Sequence, residues 1–155
     1  MSRPIDEANQ PPLMGALLRL AGQAMQQRLA AWIAQSGFEG IQPAHSAVIQ
    51  PLWQCPDGLR LTELARRSRI TKQSMSALVT ELESSGYVTR VADRDDARAV
   101  RIRLTAQGRR YVGEVRGLGR QVEKEWAAHI GTRRLEELRE SLQLLLTKVL
   151  QVEDV

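Results

Sequence analysis

Residues 61–105 read LTELARRSRITKQSMSALVTELESSGYVTRVADRDDARAVRIRLT, and this stretch decides the fold. Thr71 has the side chain of a helix N-cap. Met75, Leu78, Val79 and Leu82 follow it at helical spacing, the stripe of an amphipathic helix over Lys72–Ser85. Gly86 stands just past its end, where a left-handed residue closes a helix. Upstream, Leu61–Arg67 reads as a shorter helix with Thr62 placed to cap it, too short to hold without a partner. The intervening Ser68-Arg69-Ile70 is the length of turn that joins two such helices. Downstream, Tyr87–Val91 has strand composition, and Val100, Ile102 and Leu104 alternate with Arg101 and Arg103 as in a half-buried strand. A helix-turn-helix followed at once by a β-hairpin is the pattern of a winged helix.

Outward from this stretch the chain is helical. Met14, Leu17, Leu18, Ala21, Met25, Leu29, Trp32 and Ile33 make one stripe from Leu13 to about Gln35, and Gly37 and Gly40 break it. A second helix begins near Pro43 and carries Val48, Leu52 and Trp53; Pro51 inside it predicts a kink or an early end. Pro56-Asp57-Gly58 is a turn. After the hairpin, Thr105 caps a long helix to about His129, and Gly131-Thr132 opens the last one. There Leu135, Leu138, Leu142, Leu145 and Val149 follow a heptad seam, which needs another helix against it. Leu144, Leu146 and Leu150 widen the apolar surface. The chain's own long helices and a second subunit are both open as the cover.

Composition bounds the function. Over 155 residues, 43% hydrophobic and 26% charged content is ordinary for a globular chain. No apolar run approaches the ~18 residues that span a bilayer, so no membrane partner is expected. Residues 1–12, with prolines and acidic residues and no apolar centre, read as a flexible leader rather than a signal peptide, so the expected location is cytoplasmic. The lone Cys55 forms no internal disulfide, in keeping with a reducing compartment. Basic charge is concentrated: residues 60–110 hold 12 Lys/Arg against 6 Asp/Glu, +6, and the remainder 10 against 12, −2, which together give the net +4. Such a surplus attracts polyanions. The chain has two histidines, His45 and His129, and one cysteine, Cys55, with no Gly-rich phosphate loop and no Cys-x-x-Cys or His-x-x-x-His spacing, so no enzyme, cofactor or metal site is expected. No Lys or His neighbours Cys55 in sequence to activate it; an incidental thiol and a Cys-based redox-sensing regulator are both open.

Removing the buried positions of the helix over 72–85 leaves Lys72, Gln73, Ser76, Ala77, Thr80 and Glu81 outward, with Ser74 in the first turn. Short donors and acceptors at a helix N-terminus can approach base edges in a major groove, while Lys72 and the terminal amides hold a phosphate. With Thr71 they make the candidate recognition set: Thr71, Lys72, Gln73, Ser74, Ser76 and Thr80. In the hairpin, Arg98 is the candidate tip cation and Asp96 is placed to pair with it. Arg94 is a candidate phosphate contact in a solvated approach with Asp93 and Asp95, and Arg101 and Arg103 are expected to face solvent or the duplex.

Three features of residues 61–105 now combine: the Leu-Thr-Glu-Leu-Ala helix start, the Leu-Glu-x-x-Gly-Tyr-Val exit, and Asp96-x-Arg98 before a strand ending Leu104-Thr105. Together they resemble the MarR family of bacterial transcriptional regulators, and the outer helices fit the same layout. The resemblance implies a mainly α fold with a small β-hairpin (α+β), a winged helix-turn-helix lobe plus long N- and C-terminal dimerisation helices. By that reading 1–155 is a single MarR-type domain: a leader at 1–12, dimerisation helices at 13–36 and 105–151, and a lobe at 42–104 with its helix-turn-helix at 62–85 and wing at 87–105. It implies a homodimer, with Leu17, Leu135, Leu138, Leu142, Leu145 and Val149 at its interface. It also implies that the recognition helix enters the major groove of double-stranded DNA and the wing Arg the minor groove. Ala77 stands where members often carry Arg, which shifts weight to Lys72 and the wing. It further implies repression relieved by a small aromatic or phenolic effector, in a pocket drawing on Met25, Leu29, Trp32, His45, Ile49 and Trp53. A winged-helix protein-interaction module without DNA binding is the alternative; the retained Lys72, Arg94, Arg98, Arg101 and Arg103 speak against it.

Overall fold

The computed structural model describes residues 11–93, 96 and 98–149, with the side chain of Val149 outside that set. Most of the expected leader, Arg94, the Val149 side chain and the end of the last helix toward 151 lie outside the described residues. The chain divides into two compact units, the first ending at Tyr111 and the second beginning at Val112.

The first unit opens with α1 (Met14–Ser36), which ends on Gly37 in the left-handed region and buries none of its residues. A 3-10 turn (Pro43–His45) leads into α2 (Ser46–Gln54). Pro51 does not break α2 at once. The carbonyl its missing N–H would have served, four residues earlier at Ala47, accepts instead from the Ser68 hydroxyl at 2.5 Å. The helix then runs out three residues later.

Next come β1 (Leu59–Arg60), α3 (Leu61–Arg67), α4 (Lys72–Ser84), β2 (Val88–Ala92) and β3 (Val100–Leu104). The expected two-stranded hairpin is a three-stranded antiparallel sheet in the order β1-β3-β2. Leu59 pairs Ile102 and Arg60 pairs Arg101, while β2 and β3 run in register from Val88–Leu104 to Ala92–Val100. Gly58 makes β1 possible: its φ is +81°, and a Cβ there would collide with the Ile102 carbonyl. The α3 start is also corrected. The helix begins at Leu61 with Arg60 in extended conformation before it, so Thr62 lies inside the first turn and does not cap it.

The core of this unit joins α2, α3, α4 and the sheet through Val48, Leu52, Leu64, Met75, Val79, Leu82, Val88 and Ile102, each at most 2% exposed. At full burial each such side chain contributes about 1.5–3 kcal/mol. Four aromatic rings close one side. Phe38 meets Trp32 at 5.8 Å and Tyr111 edge-on at 5.3 Å, and Tyr87 meets Tyr111 at 5.8 Å. Tyr87 Oη donates to the Glu39 carbonyl at 2.9 Å. Burial, with Tyr87 alongside, pushes the Tyr111 phenol up to about 12.

α5 (Ala106–Ile130) starts where expected: Thr105 Oγ1 donates to the Gly86 carbonyl at 2.6 Å and accepts from Gly108 N at 3.1 Å. Gly108 lies so close to Tyr87 that any Cβ would strike its carbonyl. In the second unit, Val112 and Val122 are buried. Arg139, on α6 (Thr132–Leu144), grips the Glu123 carboxylate of α5 with both terminal nitrogens at 3.0 and 3.3 Å. No residue of α6 is buried, and a π-helical turn (Leu145–Val149) follows it. Among the described residues, no helix is long and apolar enough to cross a membrane.

Candidate nucleic-acid interface

α4 is held by its apolar face, with Met75, Val79 and Leu82 fully buried. Its cap is the expected one: Thr71 Oγ1 accepts from Ser74 N at 3.1 Å, and the two hydroxyls meet at 2.9 Å. The other face and the first turn are presented outward. Thr71, Lys72, Gln73, Ser74, Ala77 and Thr80 are exposed and Ser76 is half-buried. Thr80 Oγ1 donates to the Ser76 carbonyl at 2.9 Å and accepts from Arg90 at 3.4 Å, so its hydroxyl is already engaged. Arg90 also pairs with Glu83 on α4, tying β2 to the helix.

One contact on α4 was not foreseen. Glu81, expected to be a plain outward carboxylate, accepts from His45 Nε2 at 3.0 Å. The Gln42 main-chain N–H donates to His45 Nδ1 at 3.0 Å, which leaves the ring hydrogen on Nε2. The imidazole is 1% exposed and joins the start of α2 to the C-terminal half of α4.

The wing departs most from expectation. Asp93 is no part of a solvated approach: its side chain is fully buried, and its Oδ2 takes Arg60 Nε at 2.7 Å and Arg101 Nε at 3.1 Å. Arg101 therefore turns inward, its Nη1 also donating to the Gly58 carbonyl at 3.1 Å, and Arg103 Nε donates to the Pro56 carbonyl at 3.3 Å. Asp96 does not pair with the Arg98 guanidinium. Its Oδ1 accepts from the Arg98 main-chain N–H at 3.1 Å, and its Oδ2 lies 3.6 Å from Arg60 Nη2. Asp93 N donates to the Ala99 carbonyl and Ala99 N to the Asp96 carbonyl, both at 2.9 Å, which closes the loop. Arg98 is exposed at its tip.

Sequence reasoning missed Arg60, and it did not foresee the burial of Asp93 against Arg60 and Arg101 or the His45–Glu81 contact. Period-two alternation ended at Val100, and a two-residue strand has too little pattern to be found.

The other expected sets are placed as follows. Of the pocket residues, His45 and Ile49 are buried on the 3-10 turn and α2, Trp32 stacks among the aromatic rings, Met25 and Leu29 are half-buried on α1, and Trp53 is 39% exposed. Of the interface residues, Leu17 and Leu138 are each 44% exposed, and Leu135, Leu142 and Leu145 are half-buried. Cys55 is half-buried, and Arg67 Nη1 lies 3.6 Å from its sulfur. Arg66 and Arg67 hold the Glu63 carboxyl down at about 2. Among the described residues no cluster of metal-ligating side chains occurs.

A family model described as MarR family matches residues 54–99, from the end of α2 into the wing. Among proteins of known role, the chain is 37% identical over 68 residues to the HTH-type transcriptional regulator TtmR of Methylorubrum extorquens. That match covers 44% of this chain and 34% of TtmR, about a third of the relative's length. It is 28% identical over 138 residues to the HTH-type transcriptional repressor Rv2887 of Mycobacterium tuberculosis, covering 89% of this chain and 96% of the relative. The Rv2887 structure, solved as a complex with salicylic acid, superposes with a TM-score of 0.64 at 27% identity, over 89% of this chain and 98% of that one. The DNA complex of Staphylococcus aureus MepR, 22% identical, has the same fold, with a TM-score of 0.65 over 87% of this chain and 98% of that one.

Proposed function

Because this chain belongs to the MarR family of winged helix-turn-helix, DNA-binding transcriptional regulators, and not to an enzyme family, we propose that it is a cytoplasmic homodimeric repressor of a pseudo-palindromic operator. The observation that carries this reading is the first turn of α4: Lys72, Gln73 and Ser74 face outward on a helix whose other face is locked into the core. Two such helices about a twofold axis fit half-sites about one helical turn apart. The exposed Arg98 suits a narrow, A·T-rich minor groove, whose negative potential favours an inserted guanidinium. Arg94, outside the described residues, is assigned a phosphate. α1 and α6 supply the dimer contact, since neither buries a residue within the chain.

Salicylic acid on Rv2887 supports a small aromatic acid as the effector. The pocket residues would be Met25, Leu29, Trp32, His45, Ile49 and Trp53. A carboxylate arriving there would compete with Glu81 for the His45 Nε2 hydrogen, and so act on the recognition helix.

Binding to operator duplexes selected by the protein from a random-sequence pool tests the reading. With ~6–10 phosphate contacts, affinity falls about 10³- to 10⁵-fold between 50 and 200 mM salt. Arg98→Ala weakens binding by more than about tenfold with the dimer intact. A salt-insensitive interaction, or an Arg98→Ala protein of unchanged affinity, overturns it.

A further inference from the structure

The wing loop is held by an arrangement that a charged turn does not need for its own stability. Arg60 and Arg101 are cross-strand partners on β1 and β3, two like charges side by side, an unfavourable pairing. Both aim Nε at one oxygen of the buried Asp93. Arg101 and Asp93 alone would balance the buried charge. Arg60 adds a second reach: from Asp93 at the base of the loop its guanidinium extends to Asp96, whose other oxygen holds the Arg98 N–H. Arg60 is also the residue immediately before α3. One planar side chain therefore links the loop's base, its tip and the first residue of the helix-turn-helix.

We propose that Arg60 is a positioning residue for DNA recognition: it fixes where Arg98 is carried relative to the helix-turn-helix before the duplex arrives. The Arg60–Asp96 arm is half-exposed at both ends, 44% and 47%, and surface pairs of that kind add little to stability. Its value lies in preorganisation, which removes the ordering of the loop from the cost of binding. A planar fork can serve two carboxylates at once; an ammonium is a single point.

The inference rests on the wing reading, so the experiment carries Arg98→Ala as its control. The probe is a duplex selected by the wild-type protein from a random-sequence pool, with affinity followed by fluorescence anisotropy from about 50 to 200 mM salt. Arg60→Gln is expected to weaken binding about tenfold with an unchanged salt slope, because Arg60 acts through the loop and not on a phosphate. Arg60→Lys recovers part of the loss. Asp96→Asn keeps an oxygen for the Arg98 N–H but gives up the charge, weakens binding about threefold, and adds nothing on top of Arg60→Gln. A slope lower by about one in Arg60→Gln makes Arg60 a direct phosphate contact and overturns the proposal. So does unchanged affinity in Arg60→Gln while Arg98→Ala is weakened. If Arg98→Ala is itself silent, the wing reading falls and this inference with it. Should Arg60→Gln not fold, Asp96→Asn decides alone, and wild-type affinity there refutes the proposal.

Discussion

Leu64 and Leu138 are the same residue on two helices of one chain, and their surroundings are opposite. Leu64, on α3, is 0% exposed among the apolar residues of the winged lobe, whereas Leu138, on α6, is 44% exposed. The contrast extends to whole elements. α4 buries Met75, Val79 and Leu82, and α1 buries nothing despite an apolar stripe that includes Met14, Leu17 and Leu18. The lobe thus completes its core within one chain. The outer helices carry the same kind of side chain and leave it uncovered, as the homodimer proposed above requires. Stability of the lobe should be independent of protein concentration, and that of the outer helices should rise with it.

Two substitutions break the comparison at its strongest points. Leu64→Ala empties a fully buried site and is expected to cost about 2–5 kcal/mol, seen as a lower melting temperature at every protein concentration. Leu138→Glu leaves the circular dichroism of the monomer unchanged, since the site is already wet, but puts an unpaired charge into the proposed interface. Dimer dissociation, followed by sedimentation equilibrium, then rises about a hundredfold. A concentration-dependent loss in Leu64→Ala, or an intact dimer in Leu138→Glu, reverses the assignment of the two regions.

Alkali probes the buried side of the molecule, because both tyrosines of the chain, Tyr87 and Tyr111, are buried in the first unit. Burial raises the Tyr111 phenol to about 12 from its ordinary value near 10. The folded protein resists losing this proton more than the unfolded chain does. The associated stability, about 2–3 kcal/mol, is fully present below pH ~10 and is lost as pH rises toward ~12. Denaturant melts at about pH 9 and 11 should show it, with phenolate absorbance rising together with unfolding. A Tyr111→Phe protein loses this part of the pH dependence.

Much of this division was legible in the residues themselves. The spacing of Met75, Leu78, Val79 and Leu82 and the Thr71 cap place α4 to within a residue of its end, because a regular period and a capping hydroxyl are local signals. The Leu135–Leu145 seam likewise announced a helix in need of a partner. What local pattern could not express was the destination of each charge. Asp93 and Asp96 stand in one run of mixed charge and both read as outward, Asp93 in a solvated approach and Asp96 on Arg98, yet Asp93 is buried against Arg60 and Arg101 and Asp96 is exposed; a strand far earlier in the chain separates them. The same applies to His45 and Glu81, 36 residues apart and joined by one hydrogen bond. Fold was carried by periodicity, whereas the site depends on tertiary pairings that sequence order hides.

The smallest expected effect concerns the turn between α3 and α4, which belongs to the stable lobe but is not built for stability. Arg69 has φ of +53°, and among the described residues every other positive-φ position is a glycine. The turn closes as a Schellman motif: Ile70 N donates to the Ala65 carbonyl at 3.1 Å and Arg69 N to the Arg66 carbonyl at 3.2 Å. Glycine is the residue that motif prefers, so Arg69→Gly should raise stability by about 1 kcal/mol, a gain of about 2–4 °C. The substitution also removes an exposed cation three residues before Lys72, the first residue of α4. If that guanidinium lies on a phosphate, the salt slope of operator binding falls by about one as the melting temperature rises. Opposite movement of the two readouts would mark the turn as a place where strain is kept for binding. A gain in stability with unchanged binding would leave Arg69 a conformational cost that DNA recognition does not explain.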